Sequence, residues 1–220
     1  MDGVFDKVQT AILVLIPMIL SLTVHEYAHA RSAFALGDRT AAAMGRMTLN
    51  PLSHIDPFGT LLLPILAIVS GGPFFGWARP VPINPVLFTH RIRMKTGILL
   101  TAAAGPVSNL LMAIAIALAF AGLNHARVDA GEPVWMLLAF TFKINVVLAV
   151  FNLIPLPPLD GSRVVMGLLP DRWTTQYAYL ERNPVFVLVG FAILITQAPA
   201  LLQTPVRLVE NAILALTGAN

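Results

Sequence analysis

Residues 24–31 read VHEYAHAR and follow directly on the apolar run AILVLIPMILSLT at 11–23. Two histidines, a glutamate and an arginine thus stand at the end of a segment oily enough for a bilayer, where each charged group at a helix centre costs roughly 2.5 to 3.5 kcal/mol. In a helix, His25 and His29 are four residues apart, so their imidazoles share one face at a separation suited to one small cation. Glu26 points about a quarter-turn away. In an H-E-x-x-H sequence on a helix the two histidines bind zinc and the glutamate acts on the attacking water. About two chains in a thousand with this many His and Glu would carry the pattern by chance, so chance explains it poorly.

The rest of the chain agrees with a membrane setting. Of 220 residues, 57% are hydrophobic and 11% charged, against roughly 25% charged in a soluble domain. Mean hydropathy is +0.78. There is no cysteine, which excludes a disulfide and a thiolate metal site and leaves His and carboxylate as metal ligands. No Lys/Arg run resembles a nucleic-acid patch, so no nucleic-acid partner is expected. A cleaved leader ending at AHA (28–30) is disfavoured, because Asp2 and Asp6 outweigh Lys7 ahead of the apolar run.

Four stretches predict membrane helices: Ile12 to Phe34, Thr96 to Gly122, Val134 to Asn152 and Pro184 to Leu202. The uncharged run between Pro57 and Pro73 is short for a full crossing, and Pro80, Pro82 and Pro85 forbid a helix over 77–88. Residues 39–50 suit an extended segment or turn. Thr204 and Pro205 fit the N-cap and first turn of a separate helix lying along the interface, with Val206, Val209, Ile213 and Leu216 on one face. The expected fold is therefore an all-α polytopic membrane protein. It has about four transmembrane helices, a re-entrant or short-helix hairpin with β-like extended segments, and a C-terminal interfacial helix. It forms one domain over 1–220.

Zinc needs a third protein ligand and an open position. Most remaining carboxylates read as loop or tail groups, whereas Asp160 closes the Pro-rich NLIPLPPLDG (152–161) after an apolar span. Asp160 is the candidate. The prolines would break the helix before it and turn its carboxylate back toward the bundle.

HEYAH late in one apolar helix, AAGPVSN (103–109) in another and NLIPLPPLDG closing a third together resemble the site-2 protease family of intramembrane zinc metalloproteases, in its compact bacterial form without PDZ or CBS domains. TLNPLSHIDPFGT (48–60) and GWARPVPIN (76–84) resemble a subgroup with an insertion between the first two core helices. The resemblance implies His25, His29 and Asp160 as ligands of one Zn2+ per chain and Glu26 as catalytic base. It also implies a transmembrane protein or peptide as substrate and the lipid bilayer as the medium of the reaction.

A site of this kind has a topological requirement: the ends of the first and third predicted spans must lie at one depth. They do if residues 58–90 go in and return. Ten of the fourteen basic residues, Arg31, Arg39, Arg46, Arg79, Arg91, Arg93, Lys95, Arg163, Arg172 and Arg182, then fall on one side, which the positive-inside rule makes cytoplasmic. The expected location is the inner or plasma membrane, with the N-terminus outside, the centre toward the cytoplasm, and Lys143 left within a span.

Asn109 and Asn152 are expected near the centre, donating to a developing oxyanion or holding substrate backbone. Arg163 is expected either to orient Asp160 or to serve as a cytoplasmic anchor charge. For His54 and Asp56 a turn stabilised by the aspartate ahead of Pro57 is preferred over a role at the metal; His90 and His125 read as ordinary loop histidines. A membrane metal-ion binding or transport protein using the same His/Asp set is the alternative function. Paired broken helices from repeated halves would mark it, and none is visible.

Overall fold

Helix α1, Asp2–Ala35, carries the apolar run and VHEYAHAR as one uninterrupted element. The computed structural model describes residues 2–71 and 76–219. After α1 come α2 (Thr40–Ala43), a wide helical turn at Pro57–Leu62 that runs into α3 (Leu63–Ser70), then α4 (Met94–His125), α5 (Glu132–Asn152), α6 (Asp160–Leu168), α7 (Asp171–Arg182) and α8 (Pro184–Thr217). No strand occurs among the described residues. Three described helices, Lys7–Ala35, Met94–His125 and Glu132–Asn152, are long and apolar enough to cross a bilayer. The protein is an all-helical membrane protein.

α4 is central, packing against α1, α5, α6 and α8. Ala113 and Ala117 of α4 let α5 and α8 approach closely, and Val146, Val206 and Ile213 fill the space between them. This arrangement corrects the C-terminal reading. α8 continues through Thr204 and Pro205 rather than restarting there, and Val206, Val209 and Ile213 face the bundle instead of an interface. Leu216, the fourth residue of the predicted face, is 84% exposed. A proline inside a helix forfeits one hydrogen bond, a loss that neighbouring helices can offset in a membrane.

The segment between α2 and α4 travels out and back along α1. Asp56 starts the outward leg, its Oδ1 accepting from the N–H groups of Phe58 (3.0 Å) and Gly59 (2.7 Å), which is the turn-stabilising role expected of it. α3 ends beside the start of α1, where Lys7 Nζ donates to the Val69 carbonyl at 3.0 Å. Residues 72–75, part of the stretch read as short for a crossing, lie outside the described residues. On the return leg Trp77 N–H donates to the Gly59 carbonyl at 3.2 Å and Val81 N–H to Glu26 Oε2 at 2.8 Å. Lys7 and Glu26 are about 28 Å apart along a helix, which sets the depth of the excursion. Residues 77–84 form neither helix nor strand, and a short 3-10 turn follows at Pro85–Leu87, so the β-like stretch expected over 77–88 is not seen there. Residues 40–43 are helical, contrary to expectation, because Asp38 starts a turn there.

Asp38 joins these parts. Its carboxylate is buried and accepts from Thr40 N–H (2.9 Å), Thr40 Oγ1 (2.5 Å) and the N–H of Asn84 (2.6 Å). Burial alone would raise its pKa, but these donors outweigh it and hold the group below the usual carboxylate range. A folded pKa below the unfolded value of about 3.9 contributes stability above that value, and the contribution is lost as pH falls through the folded pKa. Asp38→Asn should therefore lower Tm at neutral pH and flatten its decline below about pH 4. Thermal unfolding of detergent-solubilised protein across pH 2–7 measures this; parallel curves would contradict it.

Candidate metal centre

Helix spacing brings the two imidazoles together, and the α5–α6 connection brings the carboxylate to them. His25 Nε2 and His29 Nε2 are 3.1 Å apart, and Asp160 Oδ2 lies 3.1 Å from the first and 3.2 Å from the second. Asp160 is the first residue of α6, which packs back on α4. Gly161 makes that return possible: a Cβ there would meet the Leu153 and Ile154 carbonyl oxygens at 2.3 and 2.4 Å. Gly105 does the same on α4, where a Cβ would stand 2.4 Å from His29 Nε2 and 2.6 Å from His25 Cε1. The glycine of AAGPVSN is therefore a packing residue, which lets α4 pass directly behind the imidazoles.

Protons on the far side of each ring decide what the near side can do. His29 Nδ1 lies 2.7 Å from the Thr101 carbonyl, which only accepts, so this nitrogen carries the hydrogen and Nε2 is a bare lone pair. His25 Nδ1 lies 2.6 Å from Asn109 Oδ1, and the same reasoning leaves its Nε2 bare. Two lone pairs and a carboxylate oxygen without a hydrogen-bond partner thus converge on one point. Without a positive charge between them such an arrangement is repulsive. A tetrahedral zinc with bonds of about 2.0 to 2.1 Å sets its ligands roughly 3.3 Å apart, close to all three observed edges. The residues present fit a zinc ion.

Glu26, on the adjoining face, is buried and held by the return leg of the excursion. Pro80 and Pro82 have no N–H, so Val81 offers the single donor of that tripeptide, and it goes to Glu26. The tripeptide is itself fixed, because Arg46 Nη2 donates to the carbonyls of Arg79 (2.7 Å) and Pro80 (3.2 Å) and Arg79 N–H donates to the His54 carbonyl at 2.8 Å. A cavity of about 180 Å³ opens between the His25, His29 and Asp160 side chains and the Pro80–Pro85 stretch, with Asn152 and Arg163 in its wall.

The remaining predicted residues divide. Asn109 is fully buried behind His25 and accepts from it, so the amide faces the His25 imidazole rather than the cavity. Asn152 lines the cavity and gives an N–H to the Leu148 carbonyl of its own helix at 2.9 Å. Arg163 is exposed, and among the described residues no ion pair joins it to Asp160. His54 is buried with Nε2 2.8 Å from the Thr48 carbonyl and does not line the cavity. Lys143 lies on the exposed side of α5. Sequence reasoning missed Val81, Arg46 and Asn145; only Val81 had a local signal, the lone N–H between two prolines.

A sequence model of peptidase family M50 matches residues 123–197, a stretch that contains Asp160 but neither His25 nor His29. A longer likeness decides the matter. The chain is 42% identical over 166 residues to "Putative zinc metalloprotease YwhC" of Bacillus subtilis strain 168, covering 71% of this chain and 68% of that protein. The chain belongs to peptidase family M50. It is also 36% identical over 191 residues to "Putative zinc metalloprotease Rip2" of Mycolicibacterium smegmatis, covering 85% of this chain and 68% of the relative. Rip2 of Mycobacterium tuberculosis H37Rv is 32% identical over 182 residues, with 82% and 66% covered. No solved structure matches.

Proposed function

We propose that this M50 chain is an intramembrane zinc metalloprotease of the H-E-x-x-H type, a single unit over 1–220, that hydrolyses peptide bonds within or near transmembrane segments of other membrane proteins. The observation that carries the reading is the convergence of two unprotonated imidazole nitrogens and a carboxylate oxygen within 3.2 Å of one another, beside a buried glutamate. His25, His29 and Asp160 would hold the ion beside the cavity. Zinc, when bound, supplies Lewis acidity that polarises a carbonyl and acidifies water.

Glu26 takes the proton from the attacking water and delivers it to the amine as the C–N bond breaks, so the proton it gains in one step leaves in the next. The Val81 N–H keeps the carboxylate aimed during both transfers. A metal-transport role gives this arrangement nothing to do. A helical substrate has its carbonyls in hydrogen bonds, so it must unwind before attack, and the cavity wall at 80–84 is non-helical backbone that an unwound strand could lie against. Asn152 and Arg163 face the same space and are placed to contact substrate.

In this reading residues 58–90 go in and come back, the N-terminus lies outside, and the centre sits toward the cytoplasmic side of the cell membrane, as the charge distribution indicates. Regulated release of a membrane-bound factor, or removal of remnant peptides, is the matching cellular role. The test is cleavage of a panel of transmembrane-segment substrates in liposomes by the purified full chain. Chelator should abolish the activity and stoichiometric zinc should restore it. Cleavage that survives metal removal would refute the reading.

A further inference from the structure

Behind His25, inside the bundle, runs a chain of amides that the proposed reaction does not use. Ser21, Asn109 and Asn145, from α1, α4 and α5, are each 0% exposed. Asn145 Nδ2 donates to the Thr141 carbonyl at 2.9 Å and to Ser21 Oγ at 2.8 Å. Asn109 Nδ2 donates to Asn145 Oδ1 at 2.9 Å and, at a long 3.4 Å, to the Ser21 carbonyl. Asn109 Oδ1 receives the Nδ1 hydrogen of His25.

The direction of every bond in this chain follows from one end. A peptide carbonyl only accepts, so Thr141 fixes the NH2 end of Asn145 and turns its oxygen toward Asn109. That oxygen needs a donor, which fixes the NH2 end of Asn109 and turns its oxygen toward His25. His25 must then carry its hydrogen on Nδ1, leaving Nε2 free for the ion. If Asn109 flipped, its NH2 would face Nδ1, the hydrogen would move to Nε2, and a ligand would become a donor pointing into the metal position. Among the described residues, apart from Asn145, only the 3.4 Å contact to Ser21 opposes that flip.

We propose that Asn145 is a positioning residue for the metal centre: acting through Asn109, it sets the His25 tautomer that can bind zinc. The inference rests on the reading of His25 as a ligand, and it concerns tautomer rather than charge. An alternative role, simple cross-linking of α4 and α5, makes a different prediction. Asn109→Asp has two oxygens that both accept, so it needs no instruction from residue 145, and it should rescue a loss at 145 only if the tautomer is what was lost.

The experiment uses the full chain in detergent, stripped of metal and titrated with zinc against a chromophoric chelator, with ¹⁵N-histidine spectra of the metal-free protein. The unmodified chain should bind zinc and show His25 as the Nδ1–H form. Asn145→Leu should weaken zinc binding about 10- to 100-fold and give a mixture of His25 tautomers. Adding Asn109→Asp should return the affinity to within a few-fold of the unmodified chain. Unchanged affinity and tautomer in Asn145→Leu would overturn the proposal, as would a double variant no better than the single one. If Asn145→Leu yields no folded protein, Asn145→Ser is read in the same way, and an Nε2–H tautomer in the unmodified chain overturns the proposal by itself. Failure of the unmodified chain to bind zinc would instead remove the metal centre.

Discussion

Glu26→Gln is expected to stop cleavage while leaving one zinc bound per chain. Gln keeps the length and one oxygen of the side chain, so it can still accept the Val81 N–H that meets Glu26 Oε2 at 2.8 Å. What it cannot do is take a proton. General acid–base catalysis contributes about 10² to 10⁴-fold, and here one group serves both proton transfers, so the loss should lie at or beyond the upper part of that range. Zinc content should not change, because the donor triangle of His25, His29 and Asp160 does not include Glu26. Single-turnover cleavage with metal analysis of the same samples reads both quantities. Cleavage within tenfold of the unmodified chain would remove Glu26 from its role.

Gly105→Ala should be nearly as damaging by the opposite route, losing the metal rather than the base. The new Cβ would lie 2.4 Å from His29 Nε2 and 2.6 Å from His25 Cε1. Carbon needs about 3.5 Å from such neighbours, so α1 and α4 must part by roughly 1 Å or both rings must turn. A misplacement of about 1 Å can cost 10²-fold in rate, and it also breaks a donor triangle only 3.1 to 3.2 Å on an edge. The variant should purify with little zinc and little activity, yet keep its helical circular dichroism, because the contact is local. Full zinc occupancy in Gly105→Ala would show that α4 stands farther from the imidazoles than described.

Much of this site could be read from the sequence, and the reason is that its chemistry obeys local rules. A four-residue spacing puts His25 and His29 on one face in any helix. The clustered prolines Pro155, Pro157 and Pro158 before Asp160 disfavour a continuing helix, and the need to bring both ends to one depth called for an excursion that goes out and back. The hidden parts depend on contacts between distant segments. Nothing near Arg46 says that its guanidinium reaches the Arg79 and Pro80 carbonyls, and nothing near Asn145 says that its amide reaches Asn109 on another helix. Asn109 was placed near the site by its motif, but a motif gives no orientation; the amide turns toward His25 because Ser21 and Asn145 occupy its other side. The C-terminal helix misled for a related reason. Thr204 and Pro205 satisfy the rules of a helix start, while packing of Val206 and Ile213 on α4 and α5 stabilises an unbroken α8.

The most direct test of the account is X-ray absorption at the zinc edge on the unmodified chain and on Asp160→Ala. Two imidazole nitrogens and a carboxylate oxygen at about 2.0 to 2.2 Å, with one zinc per chain falling to well under half in the variant, is the expected result. A shell without imidazole scattering, or equal zinc in both proteins, would contradict it.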